Sequence, residues 1–94
     1  MSFSVYILYS ASTQKHYIGQ TSDIDARLIK HNSGANKSTQ SGIPWQLLAS
    51  LRLETRAEAM SFERKLKNLK SVKKQNEFIL KHGFTVQEVI GPEK

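Results

Sequence analysis

Seven consecutive residues near the N-terminus, Phe3 to Tyr9 (FSVYILY), set the first constraint on what this chain can become. The run is β-branched and aromatic and gives way to polar residues at Ser10, the signature of a strand. It is apolar at both parities, so both faces need cover and the strand belongs in the interior of a sheet. Ser10-Ala11-Ser12-Thr13-Gln14 is polar and turn-like, and Lys15 to Gly19 (KHYIG) resumes strand chemistry. So short a connection implies an antiparallel hairpin. Trp45 to Leu53 (WQLLASLRL) is apolar with partial alternation and reads as a third strand.

The intervening segments read as helices. Thr21 and Ser22 precede Asp23-Ile24-Asp25, a cap followed by acids that suit the positive end of a helix. Ile24, Leu28 and His31 then fall on one helical face, and Gly34 supplies a stop. Ala35 to Pro44 is a polar loop rich in turn residues. Thr55-Arg56-Ala57-Glu58 is a capping box, and Ala59, Phe62, Leu66 and Leu69 form an apolar stripe behind it. Ser71 caps a third helix, with Val72, Gln75, Ile79 and Leu80 on one side and Gly83 at its end. Val86, Val89 and Ile90 make an apolar patch in the remaining tail. The order β-β-α-β-α-α predicts a small α+β fold, a three-stranded antiparallel sheet flanked by helices. We expect a single domain over residues 1–94, with its core in 2–82 and residues 83–94 as a C-terminal tail.

Composition narrows the function. At 94 residues the chain has room for one domain. The absence of cysteine excludes a disulfide framework, a thiolate zinc site and cysteine catalysis. It fits a reducing compartment, and with no signal-peptide pattern at Met1-Ser2-Phe3-Ser4 the expected location is cytoplasmic. Fourteen Lys and Arg against eight Asp and Glu leave a net charge of +6. Residues 51–94 hold ten of the bases and six of the acids. Arg64, Lys65, Lys67, Lys70, Lys73 and Lys74 occupy one window without an acid. Like charges at helical spacing repel, so such a window suggests a polyanionic partner, nucleic acid being the commonest. A solvated basic face is the plainer reading.

Several side chains carry candidate chemistry. Tyr6 and Tyr17 lie on paired strands and can bring two phenols together. Arg27 and His31 stand at i and i+4 on the first helix and point the same way. Glu63 sits beside Phe62 at the edge of a buried stripe, a lone carboxylate among bases. Each has an ordinary alternative: packing for the tyrosines, an Arg27–Asp23 pair, a satisfied core-edge histidine, a Glu63–Lys67 pair. Together they suggest phosphate chemistry. A guanidinium matches phosphate oxygens and growing negative charge. One carboxylate with waters and substrate oxygens can hold Mg²⁺.

Ser4-Val5-Tyr6, then Tyr17-Ile18-Gly19, Arg27 eight residues on and Glu63 further along make an ordered set that resembles the GIY-YIG nuclease family. The likeness covers residues 2–82 and is strongest to short standalone bacterial members and to the nuclease domain of structure-selective endonucleases. Arg27-Leu28-Ile29-Lys30-His31-Asn32, Lys37-Ser38-Thr39 followed by Trp45, and Glu58-Ala59 with Glu63 and Lys67 also fit. The first triplet departs from the family pattern at Ser4 and Val5. The Asn that some members carry after the metal Glu has Asn76 as its candidate here.

The resemblance implies a metal-dependent endonuclease that hydrolyses DNA phosphodiesters. By that likeness Tyr6 helps deprotonate the attacking water, Tyr17 supports it, Arg27 binds the scissile phosphate and His31 accepts or orients a proton. Glu63 holds one Mg²⁺ or Mn²⁺. Gly19 gives the backbone room, and Lys37, Lys67, Lys70 and Lys74 contact nucleic acid. DNA is the expected partner, with branched or nicked DNA among its forms, and no membrane partner is expected. A DNA-binding module that keeps the scaffold with little or no cleavage is the alternative, and an interaction domain for an acidic partner is a third.

Overall fold

The computed structural model describes residues 2–89. Its elements run β1 (Phe3–Ser10), β2 (Lys15–Thr21), α1 (Ile24–Asn32), β3 (Trp45–Leu53), α2 (Arg56–Asn68), α3 (Val72–Lys81) and β4 (Thr85–Val86). One antiparallel sheet has the order β2-β1-β3-β4. The apolar run therefore lies inside the sheet, with Val5, Tyr6, Ile7 and Leu8 each no more than 1% exposed. Among the described residues no helix is long and apolar enough to cross a membrane.

Two expectations need correction. The sheet has four strands rather than three, because Thr85 and Val86 pair with Ser50 and Ala49. Gln87 N–H adds a 2.8 Å bond to the Leu48 carbonyl. Two residues are too few to show a hydrophobic period, so this strand has no sequence signature. The core also extends past residue 82, since Phe84 is buried within it. Ile90 lies outside the described residues, and Val86 is exposed.

The helix starts follow local capping. Thr55 accepts from Glu58 N–H while the Glu58 carboxylate accepts from Thr55 N–H, as the capping box requires. Ser71 caps α3. For α1 the cap is Asp23 rather than Thr21 or Ser22, its carboxylate accepting from Ala26 N–H at 3.0 Å. Thr21 instead braces Asp23, its hydroxyl oxygen accepting from Asp23 N–H. Gly34 and Gly83 adopt positive φ just beyond α1 and α3.

The predicted inner face of α3 is rotated. Val72 and Leu80 are exposed, whereas Ile79 is buried and Phe78 packs on the core. The observed stripe is Gln75, Phe78, Ile79 and His82. Phe62, Phe78, His82 and Phe84 meet in one aromatic cluster, and burying rings outweighs burying Val72 and Leu80. Gln75 donates its amide to the Leu66 and Leu69 carbonyls and so closes the C-terminal end of α2.

Strand pairing assigns the faces. Val5, Ile7, Ile18 and Ala49 cluster with Leu66, Ile79 and Phe84 under α2 and α3. Tyr6, Leu8 and Tyr17 have the opposite parity and face α1 and the 35–44 loop. The β1–β3 register slips between Ile7 and Leu8, so Leu48 is an extra residue on β3. Past that bulge the parity of β3 reverses. Ala49 and Leu51 serve the main core, and Trp45 turns to the face of Tyr17.

Candidate active site

The Tyr6 phenol is the hub of the opposite face. It lies across from Gly19 on β2, the outer strand of the sheet. A Cβ built on Gly19 would stand 2.7 Å from the Tyr6 hydroxyl and 2.9 Å from Cζ. Glycine is required here by space: without a side chain at 19, the phenol reaches out over the edge strand. Tyr17 packs edge-on to Tyr6 at 6.3 Å and to His31 at 4.7 Å between ring centroids.

His31 is the single buried residue of α1 and is 1% exposed. The Tyr6 hydroxyl meets its Nε2 at 3.3 Å, and its Nδ1 lies 3.1 Å from Thr39 Oγ1. The Thr39 hydroxyl donates its one proton to the Asn36 carbonyl. With the Thr39 proton placed there, its oxygen accepts from Nδ1–H and Nε2 accepts from Tyr6; that tautomer is assigned from this hydrogen-bond pattern. Thr39 is fixed in turn, its carbonyl accepting from Trp45 Nε1–H at 2.7 Å. Asn32 exchanges two hydrogen bonds with the Trp45 backbone, which ties α1 to β3.

The electrostatics follow from burial. Desolvation, with the neighbouring Tyr17 phenol, pushes the Tyr6 pKa up to about 12, while Arg27 lowers it and Glu63 raises it. Burial holds His31 below its usual value, with Arg27 and Lys30 acting in the same direction. At neutral pH the pair is a neutral phenol donating to a neutral imidazole. Arg27 is not paired with Asp23: among the described residues the one ion pair is Lys67 with Glu63, at 2.6 Å.

Glu63 stands on the α2 side of the same edge. It lines a recess of about 370 Å³ with Gln20, Met60, Arg64, Lys67 and Asn68. The Glu63–Lys67 pair is one of the ordinary alternatives and it is formed. It is also solvent-exposed at its lysine end, and exposed i,i+4 pairs contribute only about 0.3–0.5 kcal/mol. The recess offers the Glu63 carboxylate, a hard oxygen donor of the kind Mg²⁺ or Mn²⁺ takes, with the carboxamide residues Gln20 and Asn68 in its lining. Among the described residues no group of three His, Cys, Asp or Glu gathers into a metal cage. Glu63 is the one carboxylate in the lining of the recess.

Tyr6 thus links Tyr17, His31, Arg27 and Glu63, by contact with the first two and by charge with the others. Gly19 is beneath the phenol and Lys67 is on Glu63. Lys37, Lys70 and Lys74 are exposed and stand outside the recess lining. Asn76 lines an apolar groove with Leu48, Ile79 and Leu80, whereas Asn68 is beside Glu63. Thr39 and Gln20 are additional members: Thr39 falls in the Lys37-Ser38-Thr39 stretch that fits the family but carries no assigned role there, and Gln20 has no sequence signal beyond following Gly19.

The chain is similar to known proteins. The family model of the GIY-YIG catalytic domain matches residues 2–76. UPF0213 protein YsiG of Lactococcus lactis is 36% identical over 89 residues, 94% of this chain and 84% of that protein. UPF0213 protein BH0048 of Halalkalibacterium halodurans is 37% identical over 84 residues, 88% of each. The solution NMR structure of BH0048 superposes with a TM-score of 0.53 at 34% identity, covering 88% of this chain and 87% of that one.

Proposed function

Because the chain belongs to the GIY-YIG catalytic domain family, among its UPF0213 proteins, we propose that it is a metal-dependent DNA endonuclease acting as one catalytic unit over residues 1–94. The observation that supports this best is the position of the Tyr6 hydroxyl. It is bonded to a bare imidazole nitrogen, packed on Tyr17, and near enough to Arg27 and Glu63 to feel both charges.

A phenol raised to about 12 does not ionise by itself near neutrality. Its route to acting as a base is a relay. Tyr6 passes its proton to His31 Nε2 as its oxygen takes one from the attacking water. The Nδ1–H···Thr39 bond keeps the imidazole in the accepting tautomer and steadies the imidazolium that results. The water oxygen bonds phosphorus as the P–O3′ bond breaks. Arg27, which forms no ion pair among the described residues, stabilises the added charge on the phosphate. Tyr17 supports the Tyr6 ring and borders the phosphate. Glu63 would hold Mg²⁺ or Mn²⁺, which when bound supplies Lewis-acid stabilisation of the phosphate and the leaving oxygen. Lys67 gives up Glu63 and turns to a phosphate, and Lys37, Lys70 and Lys74 follow the DNA backbone beyond the site. This reading puts the enzyme's action in the cytoplasm, on DNA, with branched and nicked forms among the substrates to be compared.

Cleavage of plasmid, nicked and four-way-branched DNA tests the reading. Wild type should cut only with Mg²⁺ or Mn²⁺, Glu63→Ala should not cut, and Tyr6→Phe should be slower by about 10²–10⁴-fold. Full cutting by Glu63→Ala, or by wild type in EDTA, rejects it. The Lys67–Glu63 pair favours a second reading, a DNA-binding module without turnover. That reading wins if wild type binds these DNAs tightly and cuts none at high enzyme concentration.

A further inference from the structure

Gln20 follows Gly19 on the outer strand, and its pairing with Val5 turns it to the α2 side of the sheet. There it lines the recess that holds Glu63. Its Oε1 is shut off from solvent, and no donor among the described residues reaches it. It is the one buried side-chain oxygen or nitrogen among them left without a partner. Folded proteins keep few such atoms, because a buried acceptor without a donor is costly. If position 20 served packing alone, Leu or Met would fill the same volume without that cost.

We propose that Gln20 is part of the cation site, its carboxamide turning into the recess when a divalent ion is held by Glu63, so that Oε1 leaves its unpartnered position and accepts a hydrogen bond from a water in the shell of the ion. The inference rests on the reading of Glu63 as the metal-holding carboxylate. Mg²⁺ gives up its waters reluctantly and is normally held through one or two carboxylates with several waters kept. Those waters are polarised donors that need acceptors around them, and outer acceptors of this kind set much of a site's affinity. A carboxamide oxygen beside a lone carboxylate supplies one without adding charge to a basic surface. The Lys67 ammonium marks the side from which positive charge reaches Glu63. It leaves when the ion arrives, so the recess bordered by Gln20, Glu63 and Lys67 changes its cation.

The test is a Mg²⁺ titration of the ¹⁵N-labelled full chain, without DNA, followed by ¹H–¹⁵N NMR. The Gln20 side-chain amide and the Glu63 backbone amide of wild type should shift with a common midpoint. Gln20→Leu should raise that midpoint about tenfold, with a melting temperature in EDTA equal to or above wild type. Gln20→Glu, which keeps the shape and adds charge, should lower the midpoint and carries the test if Gln20→Leu does not fold. A Gln20→Leu midpoint within about twofold of wild type, or an unmoved Gln20 amide, overturns the proposal. Glu63→Gln separates the two levels. If it loses saturation while Gln20→Leu matches wild type, Glu63 stands as the ligand and Gln20 falls. If Glu63→Gln keeps the wild-type midpoint, or wild type itself shows no saturable shift, both fall.

Discussion

Tyr6 and Gly19 illustrate how a residue pair can matter more than either member. The phenol occupies the volume a side chain at 19 would need, and it cannot retreat because Tyr17 and His31 pack behind it. Gly19→Ala should displace the hydroxyl from His31 and slow single-turnover cleavage by about 10²-fold. It should cost about 1–3 kcal/mol in urea unfolding. The same phenol predicts a pH dependence. Its pKa is about 12 folded and 10 unfolded, so the folded state binds more protons between those values. Its contribution is full below pH 10 and is lost as pH rises to 12, about 2–3 kcal/mol in all, and Tyr6→Phe should flatten that limb. His31 has the opposite sign. Its folded pKa lies below 6.5, so the unfolded chain takes the proton first and stability falls as pH drops below 6.5. Cleavage should share that acid limb, because protonated His31 cannot accept from Tyr6. The types and order of the site residues were legible in the sequence. The Thr39 partner that sets the imidazole tautomer was not, because nothing in a polar loop says which hydroxyl points inward.

At the scale of elements, what the sequence conveyed best was where helices begin. Caps join a side chain to a backbone N–H three residues away, so Thr55 with Glu58 and Ser71 with Lys74 can be read without the fold. Which way a short helix faces is another matter. Along α3 both Val72–Leu80 and Phe78–Ile79 offer apolar surface, and the choice is made by Phe62 and Phe84, which come from elsewhere in the chain. Urea unfolding can check the observed face. Phe78→Ala should cost about 3 kcal/mol, whereas Leu80→Ala, at a side chain 77% exposed, should stay within about 0.5 kcal/mol of wild type. Equal costs would mean that α3 is rotated back toward the first expectation.

For the molecule as a whole, the basic window divides into two parts. Arg64 and Lys67 border the recess, while Lys70, Lys73 and Lys74 are exposed beyond it. Log affinity for DNA should fall linearly with log salt, and Lys70→Ala with Lys74→Ala should each reduce the slope by about 0.9 while metal-dependent cutting persists at low salt. A slope unchanged by both would take these lysines out of the interface. Charge, the central strand, the hairpin and the helix starts were all determined by residues within a few positions of one another, where propensity and local hydrogen bonds decide. The fourth strand, the bulge that turns Trp45 toward Tyr17, and the reach of the Glu63 charge on α2 to Tyr6 on the other sheet face were decided by tertiary structure alone. Backbone pairing carries no side-chain period. A one-residue slip reverses every later side chain, and burial of distant apolar groups selects the register that survives.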